Sequence, residues 1–336
     1  MGKKYDNLIQ DIADWDNLLI AYKKARKGKR NRAEVQLFSS DLWLHLGNIQ
    51  NHLLHGTYSM GAYRSFVVYE PKKREILAAP FIDRVVQHAI LNVLEPIWNR
   101  CMIEETYACR KGKGTHVGAE KIQQWLRDLS KHQPLETIWV VKTDFSGYFK
   151  NIRHADLKRI ARRKIACNKT LQLIDSIIDS TPGGVGIPVG NLTSQWLANL
   201  LGNEIDQAIK RTLRVKRYLR YMDDCLAIFQ TKAEAEFYLS EITRLSTELG
   251  LAFSKTSVHR ASQGVNMLGY RIWPTHKLIR KRAIVKFRKD IKFILKRQYR
   301  SEHLTKLLIK RIKSFHAHTQ HANAKKLFNA MCTGLL

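Results

Sequence analysis

The segment YLRYMDDCLAIF, Tyr218 to Phe229, carries two adjacent carboxylates, Asp223 and Asp224, in the middle of an otherwise apolar run. Strand-forming residues flank the pair: Tyr218, Leu219 and Tyr221 before it, and Leu226, Ala227, Ile228 and Phe229 after it. Two such runs around a short polar tip predict a β-hairpin. Asp is a favoured turn residue, so a plain turn is one reading of the pair. The other reading is electrostatic. Like charges this close are costly unless a cation sits between them.

Composition narrows the choice. The chain of 336 residues has 58 Lys and Arg against 29 Asp and Glu, a net charge of +29. It is long enough for two or three domains, each with its own core. That much positive charge in a folded chain points to a polyanionic partner, most often nucleic acid. A basic protein of the membrane surface would share the charge. However, no run approaches the about 18 apolar residues that a spanning helix needs, and the start, MGKKYDNLIQ, is not a signal peptide. The lysines after Gly2 do not complete the usual acylation pattern. Cys101, Cys109, Cys167, Cys225 and Cys332 form no CxxC pair. This usage fits a reducing cytoplasm and argues against both a disulfide framework and a Cys-based zinc site. His316, His318 and His321 either sit on a helix surface facing solvent or RNA, or hold a metal.

Along the chain, residues 1–60 read as helical, with Trp15, Leu18, Leu19 and Tyr22 on one face. A patch of seven basic residues lies between Lys23 and Arg32. Tyr63 to Pro80 reads as two strands joined by a basic turn at 70–75, and Val85 to Leu94 as a helix. The Gly- and Lys-rich loop Arg110 to His116 opens a helix through Ile122, Trp125 and Leu126. Thr137 to Asp144 is an apolar, β-branched run and predicts a buried strand. The segment GGVGIPVGN (183–191) is a turn, and helical spacing follows from Leu192 to Lys210. Thr231 to Glu234 is a capping box for a helix through Leu239, Ile242, Leu245 and Leu249, closed by Gly250. Short strands are expected around 251–253 and 265–272. Lys277 to Lys313 holds fifteen basic residues against Asp290 and Glu302 alone. Apolar spacing there predicts two amphipathic helices with basic outer faces, on Ile284, Phe287, Ile291, Ile294 and Leu295 and on Leu304, Leu307, Leu308, Ile312 and Phe315. Phosphate contact is the reading that best fits so one-sided a charge. From 137 to 272 the order is β–α–β–β–α–β, which resembles a ferredoxin-like sheet with helices on one side.

In such a sheet the end of the strand carrying Asp144 can lie beside the hairpin tip. Asp144, Asp223 and Asp224 would then form a two-metal phosphoryl-transfer site, with hard oxygen ligands for Mg²⁺ and phosphates of the substrate completing the shell. The boxes YMDD, KTDFSGYF, IPVGNLTSQ and NMLGY occur in the order and spacing of reverse transcriptases, and the chain resembles that family from about Tyr63 to Trp273 by motif. The resemblance implies an α+β right-hand polymerase: an N-terminal helical extension (1–60), fingers (61–136), a ferredoxin-like palm (137–275, with residues near 160–185 joining the fingers) and a short basic helical thumb (276–336). The chain stops about sixty residues past NMLGY, so an RNase H, endonuclease or maturase domain is not expected.

The same resemblance assigns roles. Asp144 and Asp223 are similar to the metal ligands, Asp224 to the third carboxylate, and the backbone carbonyl of Phe145 to a further ligand. Two Mg²⁺ ions are implied, with Mn²⁺ as a substitute. Phe149 resembles the steric gate, a ring that leaves no room for a 2′-hydroxyl. Lys72, Lys73 and Arg74 lie where the family grips the triphosphate, and a guanidinium at Arg74 can clamp phosphate oxygens in bidentate fashion. Lys255, in GLAFSKT, resembles a lysine near the leaving pyrophosphate; a surface lysine is the equal alternative. Met267, Leu268, Gly269 and Tyr270 resemble the primer grip, and Arg110 a residue facing template or nucleotide. Gly190 and Gln195 belong to the nucleotide-binding loop.

That loop departs from the family pattern. Most reverse transcriptases read Pro-Gln-Gly and later Ser-Pro; here the residues are Pro188-Val189-Gly190 and Ser194-Gln195. GIPVGNLTSQ, with YEPK, TYACRKGKGTH and GYRIWPTHKL, resembles the enzymes of diversity-generating retroelements, particularly phage-borne ones. It implies an enzyme that copies a template-repeat RNA into a cDNA/RNA heteroduplex from deoxynucleoside triphosphates, misincorporates opposite adenines, and works with a small basic oligomeric accessory variability protein. Group II intron-like or retron enzymes, a template-independent polymerase and a catalytically silent RNA-binding scaffold are the alternatives.

Overall fold

The computed structural model describes residues 3–69, 74–296 and 302–333. Two compact units emerge: Met1–Glu104 with Phe145–Arg214 and Glu241–Lys255, and Glu105–Asp144 with Val215–Ser240 and Thr256–Leu336.

The first unit is mainly helical. The N-terminal sequence forms helices Leu8–Ala13, Trp15–Ala25, Ala33–Ser40 and Leu42–His55. In the second of these, the buried row is Leu18, Ala21, Tyr22 and Ala25, whereas Trp15 is 41% exposed and leans on Trp43. The apolar face is thus rotated from the expected one. Tyr22, Phe38 and Phe81 form an aromatic cluster with centroids 5.1–6.3 Å apart, joining this region to helix Phe81–Asn99. The expected pair of strands is β1 (Arg64–Val68) and β2 (Arg74–Ala78), antiparallel; residues 70–73 of the turn between them lie outside the described residues. Asp83, fully buried, accepts hydrogen bonds from the Tyr58 hydroxyl (2.5 Å) and the Gly61 amide (3.0 Å) and so fixes the approach to β1. Burial dominates its electrostatics and pushes the carboxyl above its usual range.

The second unit holds most of the main sheet. Its strands are β3 (Trp139–Phe145), β4 (Tyr218–Tyr221), β5 (Asp224–Phe229) and β6 (Phe253–Arg260), in the order β4-β5-β3-β6. The third strand of the motif therefore lies between the first and second, as a split βαβ arrangement requires. β4 and β5 form the predicted hairpin. Cover on one side only does not hold, because both faces are buried. On one face Val140, Leu219, Leu226 and Ile228 join a core with Ile122, Leu126 and Leu129 of helix Thr115–Ser130. On the other, Tyr218 meets Tyr238 of helix Lys232–Glu248. A strand covered on both faces needs a continuous apolar run, which is what LAIF supplies. The capping box forms as expected: Thr231 Oγ1 accepts from the Glu234 amide, and Glu234 accepts from the Thr231 amide, each at 3.2 Å.

The strand expected near 251–253 is longer and later. Its polar run SKTS gives no alternation to read, yet it pairs at the sheet edge, where lysine is well tolerated. The 265–272 strand is a hairpin of β7 (Val265–Met267) and β8 (Tyr270–Ile272), extended by β9 (Lys277–Ile279). Both basic helices form, as Lys281–Lys296 and Glu302–Thr319, with Phe287 stacked on Phe315 at 4.1 Å. A third helix, Lys325–Thr333, adds Leu327, Phe328 and Met331 to the same core. Helix Asn168–Ile178, β9 and this last helix lie outside the sequence reading.

The three histidines do not act together. His316 packs on Phe328 at 4.6 Å, while His321 stacks on His116 at 3.8 Å and His318 lies 6.1 Å from His116. Burial pulls the His318 and His116 imidazoles below their usual value.

His88, in helix Phe81–Asn99, offers a pH test. Burial first, and then Lys24 and Lys29, lower its pKa from 6.5 to about 4. Between those two pH values the unfolded chain takes up a proton at His88 that the folded chain refuses, so stability falls as pH falls through this window. Melting temperatures measured across it should drop less steeply in His88→Gln than in wild type; equal slopes would contradict the assignment.

Candidate active site

Register builds the carboxylate site. β3 and β5 pair antiparallel, with Asp144 directly opposite Asp224 and Lys142 opposite Leu226. Directly paired residues share a face, with Cβ atoms about 4.5–5.5 Å apart. Asp144, Asp224, Tyr221 and Lys142 thus project from one face of the sheet. Asp223 occupies the two-residue tip with Met222, whose φ is +55°. A left-handed conformation at a non-glycine residue costs about 1–3 kcal/mol and collects at functional sites. The structure therefore brings all three carboxylates to one end of the sheet.

Electrostatics at this end differ from the sequence expectation in one respect. Lys142 Nζ lies 3.0 Å from Asp224 Oδ1, with both side chains mostly buried. Part of the charge on the acidic pair is balanced by an ammonium group from the chain itself. Lys142 escaped sequence reasoning, although a lysine in an apolar strand, two residues before Asp144 and so on its face, was a usable signal.

The other expected residues fall into two sets. Arg110 and Met267–Tyr270 share the carboxylates' unit; Arg74, Phe145, Phe149, Val189, Gly190, Gln195 and Lys255 belong to the first unit. Arg110 Nη1 donates to the Thr106 carbonyl at 3.0 Å, just ahead of helix Thr115–Ser130. Met267 and Tyr270 are buried, and Leu268 and Gly269 form the β7–β8 turn, both at positive φ. Any contact of this turn with a nucleic acid would use its backbone. The Tyr270 hydroxyl bonds His116 Nδ1 (2.7 Å) and donates to the His318 carbonyl (3.3 Å). Gly118 in the adjoining helix lies so close that a methyl there would stand 2.5 Å from Leu268 Cδ1.

In the first unit, the Phe145 ring is buried between Tyr148 (5.2 Å) and Phe253 (4.7 Å). Half-buried Phe149 lies in the short helix Tyr148–Asn151, and its carbonyl accepts from the Ile187 amide at 2.9 Å. The Ile152 carbonyl accepts from Gly186, and buried His154 bonds the Gly186 carbonyl at 2.7 Å. The gate candidate and the glycine-rich loop are thereby tied together. Farther along the loop, the Val189 carbonyl accepts from the Leu77 amide of β2 at 3.2 Å, and Gln87 Oε1 accepts from the Leu192 amide where helix Leu192–Gln207 begins. Arg74 starts β2, and Lys255 is exposed on the edge strand β6. Lys72 and Lys73 lie outside the described residues.

Residues 70–272 match the family described as reverse transcriptase (RNA-dependent DNA polymerase). The chain belongs to the reverse transcriptase family. It is 26% identical to Protein YkfC of Escherichia coli (strain K12) over 317 residues, 81% of each chain. It is also 26% identical to the Group II intron-encoded protein LtrA of Lactococcus lactis subsp. cremoris over 168 residues, 47% of this chain and 27% of that one. Nuclear intron maturase 2, mitochondrial, of Arabidopsis thaliana is 25% identical over 146 residues, 39% and 19% of the respective lengths. Membership makes the chain an RNA-directed DNA polymerase, with an RNA template and deoxynucleoside triphosphates as substrates. None of its described helices is long and apolar enough to cross a membrane.

Reverse transcriptases typically use a divalent metal. Among the described residues no group of three His, Cys, Asp or Glu side chains is arranged to hold a cation by itself. Mg²⁺ does not need such a cage: one or two carboxylates, waters and substrate phosphates complete its shell. The hard oxygens of Asp144 and Asp223 fit that requirement, with Asp224 held by Lys142.

Gly190 gives a local test. Its φ is +124°, and an added Cβ would meet Ile76 Cγ2 at 3.1 Å and the Leu77 carbonyl at 3.2 Å. Gly190→Ala should destabilise the loop by about 1–3 kcal/mol and speed hydrogen exchange at the Leu77 amide. Unchanged exchange at Leu77 would show that the loop does not depend on this glycine.

Proposed function

We propose that this reverse transcriptase belongs to a diversity-generating retroelement and copies a template-repeat RNA into cDNA with misincorporation opposite adenines. The observation that carries the chemistry is the carboxylate arrangement, Asp144 opposite Asp224 with Asp223 in the strained tip between β4 and β5. Bound at Asp144, Asp223 and the Phe145 carbonyl, two Mg²⁺ ions, or Mn²⁺ in their place, would lower the pKa of the primer 3′-hydroxyl and neutralise charge on the leaving pyrophosphate. The chain's own groups do the rest. Lys142, 3.0 Å from Asp224, orients that carboxylate. Phe149 excludes a 2′-hydroxyl, Arg74, Lys72 and Lys73 grip the triphosphate, and Lys255 stands near the pyrophosphate. Arg110 faces template or nucleotide, and the backbone at Met267–Tyr270 holds the primer end. In this reading residues 61–136 are fingers, 137–275 palm and 276–336 thumb, with an N-terminal extension at 1–60.

The subgroup rests on the loop. Val189 stands where most reverse transcriptases carry a glutamine, and Gln195 where they carry a proline. An apolar side chain at Val189 removes a polar contact with the nucleotide; one lost hydrogen bond is worth about 0.5–1.5 kcal/mol, about threefold to tenfold in selectivity. A mispair is penalised less by that amount. The retroelement reading brings with it a small basic oligomeric accessory protein as partner. A group II intron-like enzyme is the second reading, favoured by the partial similarity to the Group II intron-encoded protein LtrA and to the intron maturase.

Primer extension on a defined RNA template with Mg²⁺ and the four deoxynucleotides, followed by sequencing of the products, tests both. The Asp223→Asn, Asp224→Asn double variant should lose synthesis that wild type performs. Errors concentrated opposite template adenines support the retroelement reading, while accurate cDNA shifts it to the intron-like one. Val189→Gln should lower the error frequency about threefold to tenfold; an unchanged error spectrum removes Val189 from the account.

A further inference from the structure

Arg220, in β4 immediately before the acidic box, is fully buried. A guanidinium out of water is costly unless its donors are satisfied. Arg220 Nη1 donates to the carbonyl of Met222 at 3.0 Å. The backbone of Arg220 is tied on both sides as well: its amide donates to the Glu105 carbonyl (3.1 Å), and its carbonyl accepts from the Tyr107 amide (3.0 Å). The residue is thus a fixed point, and its side chain reaches two residues ahead into the tip.

Register says on which side it works. Arg220 pairs with Cys225, and Cys225 pairs with Thr143. These residues lie on the face opposite Asp144 and Asp224. The Arg220 side chain therefore leaves β4 on the side away from Asp144 and Asp224. It acts through the peptide that joins Met222 to Asp223. Met222 holds a φ of +55°, which a methionine leaves readily if nothing restrains it. A charge-assisted bond to its carbonyl is such a restraint.

We propose that Arg220 is a positioning residue for the reaction: from the back of the sheet it clamps the Met222 carbonyl, holds Met222 left-handed, and so fixes where the Asp223 carboxylate points. This rests on the reading of Asp223 as a metal-binding carboxylate. When the clamp is lost, Met222 relaxes to negative φ, the Met222–Asp223 peptide rotates, and Asp223 leaves the edge it shares with Asp144 and Asp224. An arginine inside an apolar strand next to YMDD is visible in the sequence, but only the fold shows that it points away from the acids.

The test is steady-state primer extension across a series of Mg²⁺ concentrations, with melting curves and primer–template binding measured in parallel. Wild type, Arg220→Met, Arg220→Lys and Asp223→Asn are compared. Arg220→Met should lower kcat by about a hundredfold and raise the Mg²⁺ needed for half-maximal rate, with primer–template affinity unchanged. Arg220→Lys keeps the charge without the planar fork and should fall between the two. Glycine accepts positive φ freely, so in a Met222→Gly background the cost of Arg220→Lys should largely vanish. If Arg220→Met fails to fold, this comparison decides: an equal cost of Arg220→Lys in both backgrounds overturns the clamp. Wild-type kcat and Mg²⁺ dependence in folded Arg220→Met overturns it too. If Asp223→Asn extends primers as wild type does, the underlying reading of Asp223 fails instead.

Discussion

The pairing of β3 with β5 is the interaction on which the carboxylate site depends. One residue of slip would turn Asp144 to the opposite face from Asp224 and leave no acidic cluster. Nothing about the acids themselves prevents that slip; mutual repulsion favours it. The register is held by what lies behind them. Val140, Leu226 and Ile228 fill one core, and Val141, Cys225 and Ala227 are buried on the other face. With both faces buried, every alternative register exchanges apolar side chains between differently shaped cavities. Packing of the sheet thereby offsets the electrostatic cost at its end, assisted by the ammonium of Lys142.

Legibility in the sequence followed the range of the interactions involved. The hairpin at Tyr218–Phe229 was readable because strand propensity and tip chemistry lie within twelve consecutive residues. The capping box at Thr231 and Glu234 and the loop at Gly190 were readable for the same reason. β6 was misplaced because SKTS carries no periodic signal and is held by its ladder alone. β9 is three residues long and exists through its pairing with β8. Asp144 could be joined to the hairpin only through the β–α–β–β–α–β order and the sheet it resembles, since strand order is a long-range property. Lys142 and Arg220 were the harder cases. Each is a charged residue in an apolar strand; period-2 alternation places Lys142 on the face of Asp144, but the face of Arg220 and what each one touches are decided by the register and the turn.

Charge is divided by function within the chain. Helix Lys281–Lys296 buries Phe287, Ile291 and Ile294 and leaves Lys286, Arg288, Lys289 and Lys292 exposed. Asp290 of the same helix lies 3.5 Å from Arg311. A surface of this kind binds phosphate backbones with an affinity that falls steeply with salt and carries no sequence information. Selectivity has to come from elsewhere; under the proposed function it comes from local geometry such as the Phe149–Ile187 tie and the Val189–Leu77 tie.

The close approach of Gly118 to Leu268, together with the two bonds of the Tyr270 hydroxyl, binds the β7–β8 turn to helix Thr115–Ser130 and to helix Glu302–Thr319. Elements far apart in sequence are thereby joined at one contact. A larger side chain at position 118, or loss of the Tyr270 hydroxyl, therefore bears on the turn and on both helices at once.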